Sequence, residues 1–195
     1  MQHKFSEKAR KQMMEAMSNK SPDRKTKASR PPRDYHEEFL QAQHVSTDGW
    51  VGIPCVAFRA AMIDACRAVN LVMTRAKLAL FVVPDGFGTD GTPLVRITEG
   101  EPEKHEGLVR LETGVADIRV RPMWKEWGAL VTLRFDADMI SRDAVVNLLM
   151  RAGLQVGIQE GRDYSKNSVG QGWGSFEIDT LKPVKTFTPD KTEVA

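Results

Sequence analysis

Hydrophobic spacing divides the chain into a few well-marked elements. The clearest follows Gly52-Ile53-Pro54, which reads as a turn with Pro54 at the first helical position. Phe58, Ala61, Met62, Ala65, Cys66 and Val69 then recur at three- and four-residue spacing, the pattern of a helix with one buried face. Arg59, Ile63 and Arg67 fall on a different face. Residues 77–83, Lys-Leu-Ala-Leu-Phe-Val-Val, form an apolar run of β formers and predict a buried strand. Residues 84–93 carry turn chemistry. Three short two-faced runs at 94–98, 108–112 and 115–121 predict strands, with an acidic loop at 99–106 between the first two. Residues 129–135 predict another strand. A second helix follows, capped by Asp138 or Ser141, with Met139, Ile140, Ala144, Val145, Leu148 and Leu149 apolar and Gly153 at its end. A strand at 38–45 opens the series, and Trp173–Ile178 closes it.

With the region from about 84 to 128 set aside as an inserted β-rich finger, the order is strand, helix, strand, strand, helix, strand. That is the βαββαβ order of a ferredoxin-like α+β domain, with four antiparallel strands and both helices on one face. The expected organisation is a basic arm over 1–34, one domain over 35–180 and a polar tail over 181–195.

Charge sharpens this division. The whole chain of 195 residues carries +2. Residues 1–33 hold ten Lys/Arg against three Asp/Glu, a balance of +7, and the remainder holds eighteen against twenty-three, a balance of −5. Residues 19–34 are nearly devoid of apolar side chains and contain three prolines, the composition of a disordered arm. Such an arm either meets nucleic acid or another acidic surface, or serves as a solubilising tail. No apolar run approaches the roughly 18–20 residues that span a membrane, and no apolar segment follows the first residues as in a signal peptide. Cys55 and Cys66, the two cysteines, lie in one helix-like stretch and read as reduced core residues of a cytoplasmic protein.

Catalytic signals are thin. His3, His36, His44 and His105 form no metal or catalytic spacing, so neither an enzyme nor a cofactor is expected. The stretch from Gly157 to Gly174 is the most unusual. It contains Gly157, Gly161, Gly170, Gly172 and Gly174, with Arg162, Tyr164, Lys166 and Trp173 among them. It matches no standard nucleotide fingerprint, since its last glycines run into an expected strand and not a helix. Glycines let backbone amides approach phosphate, cations neutralise it, and Tyr164 and Trp173 offer faces for stacking bases. A structural hairpin with edge-closing aromatics is the other reading. Trp124 and Trp127 read as packing where the finger joins the sheet.

The Ile53-Pro54 turn opening a helix with Phe58-Arg59-Ala-Ala-Met62, and Val156-Gly157 followed by Gly170-x-Gly172-x-Gly174, resemble the RAMP superfamily, the repeat-associated proteins of CRISPR systems. Within it they resemble the backbone subunits that polymerise along guide RNA. The resemblance covers roughly residues 38–179 in element order. It implies a modified ferredoxin-like palm, single-stranded nucleic acid held across it, and head-to-tail self-association. The chain is shorter than such subunits, its folded part is acidic, and it adds a basic arm. A stand-alone, phage-encoded relative that binds single-stranded DNA or RNA fits these departures. The contacts this implies are Arg59, Arg67, Arg119, Arg121, Lys125, Gly157, Gly161, Arg162, Tyr164, Lys166, Gly170, Gly172 and Trp173, with Lys20, Arg24, Lys25, Lys27, Arg30 and Arg33 from the arm. An RNA-processing endonuclease using His36 or His44 near the loop, and an assembly subunit that binds no nucleic acid, are the alternatives.

Overall fold

The structure is a computed structural model, described here for residues 1–2, 33–110, 116–164 and 170–187. Helix α1 spans Tyr35–Gln41. The Asp34 carboxylate caps it, accepting hydrogen bonds from the backbone N–H groups of His36 (2.8 Å) and Glu37 (3.1 Å), two of the donors that a helix start leaves unpaired. Glu37 and Glu38 in the first turn suit its positive end. The strand expected over 38–45 is therefore a helix in its first half. The buried residues here are Phe39, Ala42 and Gln43, spaced three and four apart, which is helical periodicity.

Strand β1 (Gly52–Pro54) leads directly into helix α2 (Cys55–Ala65). Pro54 is thus the last strand residue and the N-cap, one position before its expected place. Lacking an N–H, it is tolerated there because that donor would have no helical partner. Phe58, Ala61, Met62, Ala65 and Cys66 are buried as their spacing requires, but Ile63, assigned to the other face, is buried too. A 3₁₀ turn (Cys66–Val69) continues α2 and ends at Asn70, whose φ of 54° is left-handed. Helix α3 (Met73–Ala79) precedes strand β2 (Leu80–Val83), so residues 77–79 of the expected strand are helical. Ala76 and Ala79, three apart and fully buried, lie where α3 packs on α2.

The region from 84 to 129 divides between two sheets. Strands β3 (Gly86–Phe87), β4 (Pro93–Glu99) and the later β7 (Gly128–Ala129) join β1 in a sheet ordered β1-β4-β3, with β7 also paired to β4. The register of β1 on β4 pairs Gly52 with Arg96 and Pro54 with Leu94. β4 therefore belongs to the body, and the finger narrows to one hairpin, β5 (Glu103–Arg110) and β6 (Ala116–Met123), which pair antiparallel from Glu103↔Met123 to Arg110↔Ala116. Half of the acidic stretch expected as a loop is β5. Strand β8 (Thr132–Phe135) pairs antiparallel with β2 in a separate ribbon.

Helix α4 (Arg142–Arg151) starts at Ser141, whose hydroxyl accepts from the Ala144 N–H at 3.3 Å. Gly153 does not end it. A π-helical turn (Ala152–Val156) carries the chain on to Gly157. Gly153 is needed for proximity: a Cβ there would sit 1.9 Å from the Phe176 carbonyl oxygen. The expected strand at 173–178 has no ladder partner among the described residues. Phe176 instead packs its ring against Phe58 and Trp127, with centroids 5.8 and 6.2 Å away. The protein is of the α+β class, with a core centred on Phe58, Met62, Leu80 and Leu148. Among the described residues its strands form one four-stranded and two two-stranded sheets.

Candidate nucleic-acid interface

The glycine-rich segment is organised by its own backbone. The Ile158 N–H donates to the Gly174 carbonyl at 2.9 Å, pinching the two ends together. A Cβ on Gly174 would lie 1.9 Å from the Ile158 oxygen, and its φ is +72°, so only glycine fits. Across the loop, Gln171 and Trp173 donate to the Gly161 carbonyl at 3.2 and 3.3 Å. The Trp173 ring lies on Gly161, where a Cβ would come within 2.5 Å of it. Gly172 N–H donates to the Asp163 carboxylate at 2.9 Å. Gly157 and Gly170 also have left-handed φ values, +73° and +67°.

This loop faces the base of the finger across an open cleft of about 300 Å³, at the lower end of small-molecule sites. Ile53 and Ile97 contribute apolar walls, and Trp124, Lys125, Trp127 and Trp173 line it with Gly172 and Gly174. Three of the four tryptophans thus meet in one place. Trp127 is half core, tilted against Phe58 at 6.4 Å. Trp173 meets His105 of β5 edge-on at 5.2 Å, an arrangement aromatic pairs favour. His105 thereby touches the loop. His36 stacks on Phe39 in α1, and the His44 N–H donates to the Gln2 side chain at 3.2 Å.

An ion pair, buried on its arginine side, ties the loop to the finger. Arg121 of β6 is 5% exposed and contacts the Glu160 carboxylate. Burial, and secondarily Arg119, push the Arg121 guanidinium below its ordinary range, and Glu160 supplies the countercharge. Arg121 is therefore no phosphate contact, contrary to its place among the sequence candidates: a strand on the surface cannot reach it. Its neighbour Arg119 lies 3.7 Å from Asp117. Asp117 also pairs with Arg33 at 2.6 Å, and Arg33 holds Glu38 at 2.7 Å. The last arm cation is thus fastened to α1 and the finger.

The remaining candidates separate by role. Arg59 donates to the carbonyls of Lys77 (2.6 Å) and Leu80 (2.9 Å), closing the end of α3. Arg162 donates to the Gln159 carbonyl within the loop at 2.9 Å. Lys125 pairs with Glu103 at 2.7 Å, both exposed, a contact that competes weakly with other anions. Arg67 and Tyr164, 97 residues apart, are brought together: the guanidinium donates to the phenol oxygen. With its central carbon 5.6 Å from the ring centre, a guanidinium that also reaches the hydroxyl lies off the hydroxyl end of the ring, which leaves the ring faces to other partners. Tyr164 is 43% exposed. Lys166, and Lys20, Arg24, Lys25, Lys27 and Arg30 of the arm, lie outside the described residues.

Sequence reasoning treated Trp124 and Trp127 as packing, which holds for Trp127, and it missed the cleft they form with Trp173. Their three-residue spacing carries no sign of a partner nearly fifty residues away. Among the described residues, no His/Cys/Asp/Glu cluster could hold a metal ion, and no helix is long and apolar enough to cross a membrane. No family model matches the chain, nor does any curated protein or solved structure.

Proposed function

We propose that this protein binds single-stranded nucleic acid, DNA or RNA, with little sequence preference, and that the cleft between the finger and the glycine loop takes an unpaired base. The observation that carries this reading is the convergence of Trp124, Trp127 and Trp173 with Lys125 in one open cleft of about 300 Å³. That room suits one ring system, and stacked rings with a nearby cation are how sequence-tolerant strand binding is achieved. Tyr164, held by Arg67, offers a further ring at the loop's edge. The ferredoxin-like palm and the RAMP-like reading draw support from element order: β1, α2, β2, β8 and α4 follow the first five positions of βαββαβ once α3, ahead of β2, and β3 to β7, between β2 and β8, are set aside as additions. Head-to-tail assembly along the strand belongs to the same proposal.

The test is a gel shift with labelled single-stranded DNA, RNA and duplex side by side, with tryptophan fluorescence followed on titration. Single strands should bind in preference to duplex, quench the fluorescence and emerge uncut. Trp124→Ala should weaken them. Absence of single-strand binding would overturn the proposal, and cut product would turn it toward the endonuclease reading.

A further inference from the structure

A second surface, outside the cleft, gathers positive charge around an exposed ring. β2 and β8 turn Leu80, Val82, Leu133 and Phe135 toward the core, so the pleat sends Phe81 and Arg134 outward. These two are direct cross-strand partners. The Arg134 guanidinium lies 5.3 Å from the Phe81 ring centre, and Arg59 reaches the same ring from α2, also at 5.3 Å. Phe81 nevertheless stays 38% exposed.

Among the described residues, neither guanidinium has a carboxylate partner. Of the elements around the ring, α3, β2 and β8 contain Arg75, Lys77 and Arg134 and no aspartate or glutamate, and α2, which supplies Arg59, contains one carboxylate, Asp64. This contrasts with the −5 balance of the chain after residue 33. Two cations held at one ring repel each other, and a bound anion relieves that cost. The backbone bonds of Arg59 fix it in place, while Arg134 keeps its fork of donors for a ligand.

We infer that Phe81, Arg59 and Arg134 form a second contact for single-stranded nucleic acid, with a base on the Phe81 ring and a backbone phosphate between the guanidiniums. The inference rests on the strand-binding reading above and extends it: one strand would engage both the tryptophan cleft and the β2–β8 ribbon. An acidic peptide would satisfy the cations alone, whereas a strand supplies both a phosphate for them and a flat base for the part of Phe81 that stays exposed, so the nucleic acid is favoured.

The experiment measures fluorescence anisotropy with a labelled single-stranded oligonucleotide of about 20 nucleotides, longer than a typical single-module site. It compares wild type, Phe81→Leu, Arg134→Gln and Trp124→Ala over a salt series, with thermal midpoints as the folding control. Phe81→Leu should bind between about fivefold and about a hundredfold more weakly, the range for losing one stacked base. Arg134→Gln should weaken binding and flatten the plot of log affinity against log salt by about 0.7, the single-strand value for one phosphate contact. Both side chains point outward, so midpoints should hold. If Phe81→Leu fails to fold, Arg134→Gln and its salt slope carry the test alone. Wild-type binding by both ribbon variants, with loss in Trp124→Ala, would overturn this inference and leave the cleft reading standing. Failure of wild type to bind any single strand would overturn both. Binding of polyglutamate that Arg134→Gln abolishes, with oligonucleotide affinity unchanged in both ribbon variants, would make the ribbon an acidic-peptide site and also overturn it.

Discussion

Tyr164 and Glu160 lie four residues apart in one loop and should behave in opposite ways. The Tyr164 ring is substantially exposed and tethered by Arg67 at its hydroxyl. Tyr164→Ala should cost about 1–3 kcal/mol of single-strand affinity, the usual value of one stacked base, with little change in thermal midpoint. Anisotropy and a melting curve on the same sample check both parts. Glu160 is the countercharge of buried Arg121. Glu160→Gln leaves a guanidinium in a dry site without its partner, a loss of about 3 kcal/mol, at the low end for broken buried pairs because Glu160 keeps some solvent contact. Urea denaturation should show that loss in the midpoint. The paired change Arg121→Met with Glu160→Leu should recover part of it, because no orphaned charge remains.

At the scale of elements, α1 is where local chemistry overrode a weak strand pattern. The backbone N–H of Glu37, then that of His36, hold the Asp34 carboxyl below its ordinary range. A depressed carboxyl stabilises the helix above its unfolded pKa and loses that contribution as pH falls through the lower, folded value. The Asp34 cap should therefore stay intact from neutral pH to about 4, the ordinary carboxyl value, and fray only below it. Amide exchange at His36 and Glu37 reports this directly. Asp34→Asn, which still caps, should remove the acid-dependent part; an unchanged pH profile in that variant would place the transition in other groups. The π turn after α4 makes a complementary case. Gly153 touches the Phe176 backbone, so Gly153→Ala should destabilise the protein by several kcal/mol, the scale of overpacking or worse, even though alanine is the better helix former. Chemical denaturation measures it.

For the whole molecule, the question is how the +7 arm works with an acidic body. Arg33 is committed to Glu38 and Asp117, and Gln2 bonds the Gly52 carbonyl at 2.8 Å. A clean test therefore neutralises Lys20, Arg24, Lys25, Lys27 and Arg30 to glutamine and spares both anchors. If those cations meet phosphate, affinity should fall and the salt slope should shrink by roughly 0.7 for each single-strand phosphate that is no longer neutralised. An unchanged slope would assign the arm to another partner. Sedimentation with a long oligonucleotide should find several protomers per strand, and strict one-to-one complexes at saturating protein would remove the head-to-tail arrangement.

The sequence by itself determined what depends on neighbours along the chain. The buried stripe of α2, the body of β4 and β8, the Ser141 start of α4 and the glycines of the 157–174 loop are each specified by spacing or by a residue's own backbone preference, and local signals suffice for these. The same signals placed a strand at 38–45, where an Asp34 cap and helical burial of Phe39 and Ala42 decide otherwise. They put Gly153 at a helix end when its role is close approach to Phe176. Only the tertiary structure decided which cations meet solvent. Arg121 and Arg134 look alike in strand-forming sequence, yet one is sealed under Glu160 and the other stands on an open ribbon beside Phe81. The cleft of Trp124, Trp127 and Trp173 was likewise beyond local reading, because its walls come from segments far apart in sequence, and burial and charge pairing are set by contacts across that distance.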